Sequence, residues 1–380
     1  MSSATTAQLT IRECLQELPD PRREHRRLHP LWDIVGLTIC AMICGCDSIV
    51  DVQEYGVKKF EFLRTFLDLE NGVPSHDTIG RVFARLDPEK FRSCFADWTA
   101  SLAQAVAGRV IAIDGKTLRR AHDKNQKPLH LVSAFATENR LVLSQQAVAD
   151  KSNEITAIPE LLRMLDVKKA IVTIDAMGCQ KEIATQIKEQ GADYVLALKE
   201  NQPTLHADVR DLFEKGLQTD FAGRKHQEIQ IQSEGHGRKE TRTYTMIRLS
   251  REWLSKHPEW KGLKCVGMVC SERRVGDQDP TGETRFFITS LCLNVKTLAH
   301  AVRSHWSIEN NLHWILDVSY REDENRARKD HTPENLAWLR RMTASLLAQD
   351  KTAKVGVACK RKMAGWDDEY LLKIAGQAIA

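Results

Sequence analysis

At Arg109 the hydrophobic pattern changes period, and the stretch from 109 to 199 limits the folds open to this chain more than any other. The apolar run Arg109-Val110-Ile111-Ala112-Ile113 ends in Asp114. Leu129 to Ala136 and Leu141 to Val148 follow, separated by Thr137-Glu138-Asn139-Arg140 as a hairpin turn, so three sequential, antiparallel strands are expected. A helix, Ile155 to Leu165, then leads into Ala170-Ile171-Val172-Thr173-Ile174, which ends in Asp175. Another helix, Gln180 to Gln190, capped at Gly191, delivers a strand from Asp193 to Lys199. A meander followed by βαβαβ calls for a mixed sheet with helices packed on it.

The flanking regions follow other rules. Apolar residues recur at helical spacing in Leu9 to Leu18, Leu31 to Cys44, Val50 to Leu67 and Phe91 to Ala107, with no strand signal between them. Gly72-Val73-Pro74-Ser75 reads as a turn and N-cap for a helix from His76 to Leu86, whose Ile79, Val82, Phe83 and Leu86 share a stripe. This fits half of a helix-turn-helix, and fits an ordinary helical hairpin equally well. After a helix to about Leu217, alternating runs at Glu228 to Gln232, Glu240 to Ser250, Lys264 to Ser271 and Thr284 to Ser290 suggest a β-rich insertion. Val295 to Asp317 and Pro333 to Ala348 are helical again.

The expected fold class is α/β: a ribonuclease-H-like mixed sheet with a β-rich insertion, preceded by an all-helical N-terminal domain. That fold describes the element order better than a doubly wound nucleotide-binding domain, and no GxGxxG or GxxxxGK[ST] follows any strand to support a nucleotide cofactor. The expected domains are 1–107, a helical accessory domain that could bind DNA; 108–202, the first part of the catalytic core; 203–292, the β-rich insertion; and 293–380, the helical part that completes the core.

Two strand-end aspartates acquire meaning from this topology. An Asp before Gly after a strand usually forms a turn, because its side chain hydrogen-bonds its own backbone. The first strand of the meander and the strand after the first crossover helix lie side by side in such a fold, however, so Asp114 and Asp175 would meet. Carboxylates so close repel unless a cation lies between them. Glu309, in His305-Trp306-Ser307-Ile308-Glu309-Asn310, is the candidate third carboxylate, with Asp317, Glu322 and Asp323 as competitors. Such a set suits Mg²⁺, with Mn²⁺ as substitute, and in-line phosphoryl transfer.

Several polar residues are candidates for DNA contact. Lys116 lies on the same side of an extended chain as Asp114 and would neutralise phosphate or lower the carboxylate pKa. Lys199 and Asn201-Gln202 follow a strand end, on the rim where ligands of open α/β sheets collect. Helical geometry places Val302, His305, Glu309, His313 and Leu316 on one stripe, so an imidazole would stand one turn to either side of Glu309. Either histidine could position a phosphate or fill a core. Lys151-Ser152-Asn153-Glu154 and His236-Gly237-Arg238 are loop clusters of unassigned purpose, and Trp306 and Trp314 either stack on an unpaired base or join the core.

A net charge of +4 does not by itself announce a polyanion partner. Lys and Arg at 326, 328, 329, 340, 341, 351, 354, 360, 361 and 362, against Asp330, Glu334 and Asp350, would track a phosphate backbone or form a solvated helical face. The ten cysteines show no paired CxxC knuckles and read as reduced, mostly buried thiols. No apolar run approaches the ~20 residues needed to span a bilayer, and no export signal opens the chain. A cytoplasmic, nucleoid-associated location without membrane contact is expected.

Six motifs carry a resemblance to a known family: Asn71-Gly72-Val73-Pro74-Ser75-His76-Asp77-Thr78; Ile113-Asp114-Gly115-Lys116-Thr117-Leu118-Arg119; Lys151-Ser152-Asn153-Glu154-Ile155; Asp175-Ala176-Met177-Gly178-Cys179-Gln180; Leu198-Lys199-Glu200-Asn201-Gln202; and Arg303-Ser304-His305-Trp306-Ser307-Ile308-Glu309-Asn310-Asn311-Leu312-His313-Trp314. Over nearly its whole length the chain resembles the insertion-sequence DDE transposases, specifically the bacterial group that includes the H-repeat-associated proteins. The resemblance implies a catalytic and metal-binding triad of Asp114, Asp175 and Glu309, double-stranded DNA as partner in the form of terminal inverted repeats and target, and a homodimer on DNA. Related transposases often carry Tyr-x2-Arg-x3-Glu-x6-Lys around the glutamate, whereas this chain has Val302, His305, Glu309 and Leu316 at those offsets. Arg303, His305 and His313 would then take over phosphate handling, with Lys116 and Lys199 as further DNA contacts. The alternative is a non-catalytic DNA-binding protein left by a decayed or domesticated transposase. A glycosidase reading, which needs an acid and a base around a sugar cleft, is disfavoured by the scarcity of aromatic residues near Asp114 and Asp175.

Overall fold

In a computed structural model of the protein, residues 10–16, 18–102, 109–121, 128–148, 154–235, 237–276 and 278–379 are described. Lys151-Ser152-Asn153, His236 and the end of the helix expected to run to Ala107 lie outside these residues. The chain begins with helices α1 (Ile11–Gln16), α2 (Leu31–Ile43), α3 (Ile49–Lys58), α4 (Phe60–Leu63), α5 (His76–Arg85) and α6 (Pro88–Leu102). Strands β1 (Val110–Thr117), β2 (His130–Ala136) and β3 (Leu141–Val148) follow, then α7 (Glu154–Arg163), β4 (Ile171–Ile174), α8 (Lys181–Glu189), β5 (Asp193–Leu198) and α9 (Pro203–Gln218). Next come β6 (His226–Gly235), β7 (Arg238–Arg248), α10 (Arg251–Leu254), β8 (Cys265–Val275) and β9 (Thr281–Thr289). Helices α11 (Val295–Ile308), α12 (Trp314–Val318), α13 (Thr332–Gln349), α14 (Val357–Trp366) and α15 (Asp368–Ile379) complete the chain. The architecture is mixed α/β, with extensive sheet pairing and many helices.

The chain divides into two compact units whose borders differ from the domains read in the sequence. One comprises 106–114 and 154–307; the other comprises 1–105, 115–153 and 308–380. Thus the N-terminal helices form no unit of their own, and β1 gives Val110–Asp114 to one unit and Gly115–Thr117 to the other.

In the first of these units the strand order is β1-β4-β5-β9-β8-β7-β6. β1, β4 and β5 are parallel, with Ile113 opposite Ile174 and Ile174 opposite Leu196. Every residue from Val110 to Ile113 and from Ile171 to Ile174 is buried, as expected for parallel strands covered on both faces, and this is why they read as unbroken apolar runs. The β-rich segment is no appendage. β9 pairs antiparallel with β5, Leu196 opposite Ile288, and β8, β7 and β6 extend the sheet as a meander. Tyr244, Met246, Val269 and Phe287 from these strands share a core with Val110, Ile171 and Val195 and with Leu298 and Val302 of α11.

In the other unit β2 and β3 form the expected hairpin, with a register shift between Ala134 and Phe135. Thr117 at the end of β1 contacts His130 of β2, Oγ1 to Nδ1 at 2.8 Å. The helices pack through aromatic contacts: Phe83 with Phe91, Phe91 with Phe95 at 4.9 Å, and Phe95 stacked on Trp338 of α13 at 5.6 Å. Ser75 caps α5 by accepting from the Thr78 amide at 3.3 Å, and Ile79, Val82 and Phe83 are buried, as the stripe predicts.

The basic run from 326 to 362 divides: Arg326, Arg328, Lys329, Lys351, Lys354 and Lys362 are exposed. Arg340, Arg341, Lys360 and Arg361 are buried rather than displayed to a phosphate backbone. Arg341 Nη1 meets Glu322 Oε1 at 2.8 Å with both side chains fully buried, and Arg361 Nη2 meets Asp47 at 2.8 Å. Among the described residues, which include all ten cysteines, there is no disulfide; Cys40, Cys179 and Cys265 are buried and the other thiols lie at least partly open. Among the described residues no helix is long and apolar enough to cross a membrane.

Candidate active site

Asp114 follows Ile113 and Asp175 follows Ile174, and these isoleucines are register partners on adjacent parallel strands. Each aspartate is thus one residue past that pair, Asp114 still within β1 and Asp175 just beyond the end of β4. Both are partly buried.

The loop that presents Asp175 is tightly built. Its Oδ1 accepts from the amides of Met177 at 3.0 Å and Gly178 at 3.2 Å, an Asx turn that holds the carboxylate before α8 begins. Gly178 lies so near β4 that a Cβ there would stand 2.3 Å from Ile174 Cγ2 and 2.9 Å from Ile158 Cδ1. From the loop after β5, Asn201 Nδ2 donates to Ala176 O at 2.7 Å and Gln202 Nε2 donates to Cys179 O at 3.0 Å. Asn201 and Gln202, expected as DNA contacts, thus brace the Asp175 loop. Periodicity carried no sign of this role, since a polar pair at a strand end reads alike as rim or as scaffold. Lys199 beside them is exposed.

His305, on α11, faces β4 rather than solvent. Its Nδ1 lies 3.1 Å from Thr173 Oγ1, two residues before Asp175. Burial pushes its pKa down to about 4, against the opposing pull of the Asp175 charge, so the imidazole is neutral near pH 7 and cannot meet phosphate as a cation. Arg303 remains exposed. It lines a groove of about 450 Å³ together with Arg238, Arg242, Arg273, Arg285 and Trp306. Arg285 lies 4.6 Å over the Trp306 ring and pairs with Glu283 at 2.7 Å, while Arg242 pairs with Glu240 at 2.5 Å.

In the other unit, Glu309 is exposed and opens a π turn, Glu309–His313, between α11 and α12. The helix expected to run unbroken from Val295 to Asp317 is therefore interrupted, and residues 302, 305, 309, 313 and 316 do not keep one stripe, because a π turn bonds i to i+5. Such turns occur frequently at functional sites. His313 is turned among Arg341, Lys116 and Glu322, where burial first, and then the two cations, push its pKa down to about 3. Lys116, expected near phosphate, is buried instead among three carboxylates: Asp317 at 2.7 Å, Asp323 at 3.1 Å and Glu322 at 3.4 Å. Its charge is matched within the protein, and so are the competing acids Asp317, Glu322 and Asp323. Trp314 is exposed.

Asp114 and Asp175 supply hard oxygen donors of the kind Mg²⁺ takes. Asp175 Oδ1 is committed to the loop amides, and Oδ2 has no hydrogen-bond partner among the described residues. Among the described residues no group of three or more His, Cys, Asp or Glu side chains is gathered to hold a metal ion. The donor set formed by Asp114 in β1 and Asp175 after β4 is thus a pair of carboxylates that fits a divalent cation by its chemistry.

Against this geometry, the family described as Transposase DDE domain matches residues 107–347, and the one described as DDE_Tnp_1-associated matches residues 12–99. The chain is 39% identical over 369 residues to "Putative transposase YncI" of Escherichia coli O157:H7, covering 96% of this chain and 94% of that protein. It is 38% identical over 376 residues to "H repeat-associated putative transposase YhhI" of Escherichia coli strain K12, covering 97% of this chain and 99% of that protein. A solved synaptic complex of piggyBac transposase with hairpin DNA aligns with 96% of this chain and 78% of its own at 10% identity, with a TM-score of 0.42.

Proposed function

Since the chain belongs to the transposase DDE-domain family, we propose that it is a DNA transposase that cuts and joins strands at insertion-sequence ends through Asp114, Asp175 and Glu309, on a ribonuclease-H-like core. The observation that carries this reading is the register of Ile113 with Ile174, after which Asp114 and Asp175 come next on adjacent parallel chains. The π turn at Glu309 supports the third assignment, because π turns are rare within helices and occur frequently at functional sites.

In the proposed reaction water cleaves a phosphodiester at the element end and frees a 3′ hydroxyl. That hydroxyl then attacks a phosphodiester of target DNA, one P–O bond forming as another breaks, with no covalent link to the protein. Asp114, Asp175 and Glu309 would hold Mg²⁺, or Mn²⁺ in its place; when bound, the ion stabilises negative charge on the attacking and leaving oxygens. The chain's own part is pre-organisation. The amides of Met177 and Gly178 fix Asp175, and Asn201 and Gln202 fix the loop that carries those amides. Thr173 and neutral His305 tie α11 to the strand that ends at Asp175. Arg303, in its arginine-lined groove, is a proposed phosphate contact, and exposed Lys199 is another.

The test is incubation with a labelled duplex carrying the DNA that flanks the reading frame, with Mg²⁺ and with EDTA. Strand breaks that require the metal are expected. Binding without breaks would leave the non-catalytic descendant as the function, and retained nicking by Asp175→Ala would remove the triad assignment.

A further inference from the structure

The segment Pro21–His29 and the exposed face of α5 enclose a cleft of about 670 Å³. Arg22, Arg23, Arg26, Arg81 and Arg85 line it, and no Asp or Glu does. Arg22 is already committed: it pairs with Asp20 at 2.6 Å and donates to His29 O at 2.7 Å. Arg23, Arg26, Arg81 and Arg85 are exposed and have no ion pair among the described residues; Arg81 donates only to Thr78 Oγ1 at 3.1 Å. This sets them apart from buried Arg341 and Arg361, which meet Glu322 and Met42 O.

We propose that this cleft seats the phosphodiester backbone of duplex DNA, a contact made by residues other than those of the candidate active site. The proposal rests on the reading of this chain as a DNA-acting enzyme. Four guanidiniums facing one space repel one another unless an anion enters, and their planar forks match phosphate oxygens. Their combined charge exceeds the roughly −2 that a single phosphate group brings, so a polyanion fits better than a free ion. The surface is also held firmly. Arg81 and Arg85 stand one helical turn apart on α5, whose opposite face is buried through Ile79, Val82 and Phe83. Asn335 Nδ2 fastens the end of that helix by donating to Phe83 O at 2.9 Å and Leu86 O at 3.0 Å. Phosphate contacts of this kind fix position and orientation on the duplex while other groups act.

Duplex binding in EDTA, measured against NaCl concentration, tests the proposal. Each phosphate neutralised contributes about 0.9 to the slope of log K against log salt, so the double variant R81A/R85A should lower the slope by about 2, and R23A/R26A by a similar amount. The control K256A/K261A, which removes two exposed lysines of the other unit, should leave it unchanged. Circular dichroism checks that α5 persists in the variants. Equal slopes for R81A/R85A and the unaltered protein would overturn the proposal, as would an equal fall in the control or a fall seen with duplex RNA alone. Cleavage by the unaltered protein is measured in parallel. Its absence would count against the transposase reading, whereas normal cleavage with unaltered slopes would count against the cleft alone.

Discussion

Asp114 and Asp175 are neighbours across two parallel strands, each one residue beyond a register pair, Ile113 with Ile174. Carboxylates brought together at one site repel, and a cation between them would stabilise the pair. Replacing either aspartate by Ala should reduce DNA cleavage by about 10²–10³-fold or more, the range lost when one preorganised electrostatic group is removed. Glu309→Ala should do the same. Strand-break assays with folding followed by circular dichroism check all three, and full activity in any of them would remove that residue from the set.

Gly178 is a packing requirement. A Cβ 2.3 Å from Ile174 Cγ2 cannot be accommodated unless the Ile174 and Ile158 side chains, β4 or the loop that carries Asp175 shift. Gly178→Ala should cost about 1–3 kcal/mol in stability. Cleavage should fall further than the folded fraction does. A variant with the melting temperature and cleavage rate of the unaltered protein would show that the loop yields freely.

The buried Arg341–Glu322 pair gives the sharpest stability prediction. Removing one partner by Glu322→Ala leaves a guanidinium and the Lys116 ammonium short of a counter-charge, at a cost of about 3–5 kcal/mol. Urea unfolding should show a large drop in midpoint. The double variant E322L/R341M should recover much of the loss, and a single variant as stable as the parent would contradict the burial of the pair.

His313 predicts an acid limb of stability. Its pKa is pushed down to about 3 in the folded protein, whereas an exposed histidine titrates near 6.5. Below about pH 6.5 the unfolded chain takes up a proton that the folded chain refuses, so stability falls with pH until about pH 3, by at most about 1.4 kcal/mol per pH unit. Thermal melts across that window should slope less steeply for His313→Gln. Identical slopes would mean that another group dominates.

What could be read in the sequence followed from burial on both faces. β1 and β4 appear as apolar runs because parallel strands admit little else, and the aspartates announce themselves by ending those runs. The Ser75 cap and the α5 stripe were legible for the same reason: local chemistry decides them. Long-range matching was not. Arg340, Arg341 and Arg361 look like surface charge in one dimension, and only the fold supplies Glu322 and Asp47. Lys116 reads as a phosphate ligand until Asp317, Glu322 and Asp323 arrive from about 200 positions downstream, far beyond the reach of any periodic pattern. The π turn was invisible because Glu309 to His313 satisfies helical spacing on paper.

The pairing of β9 with β5 has a practical consequence for anyone trimming this protein. A deletion from 203 to 292 would look like removal of a side module, yet it would strip the partner from Val195–Leu198 and leave a raw hydrogen-bonding edge on β5, next to β4. Such an edge invites pairing between molecules. A shortened form should precipitate.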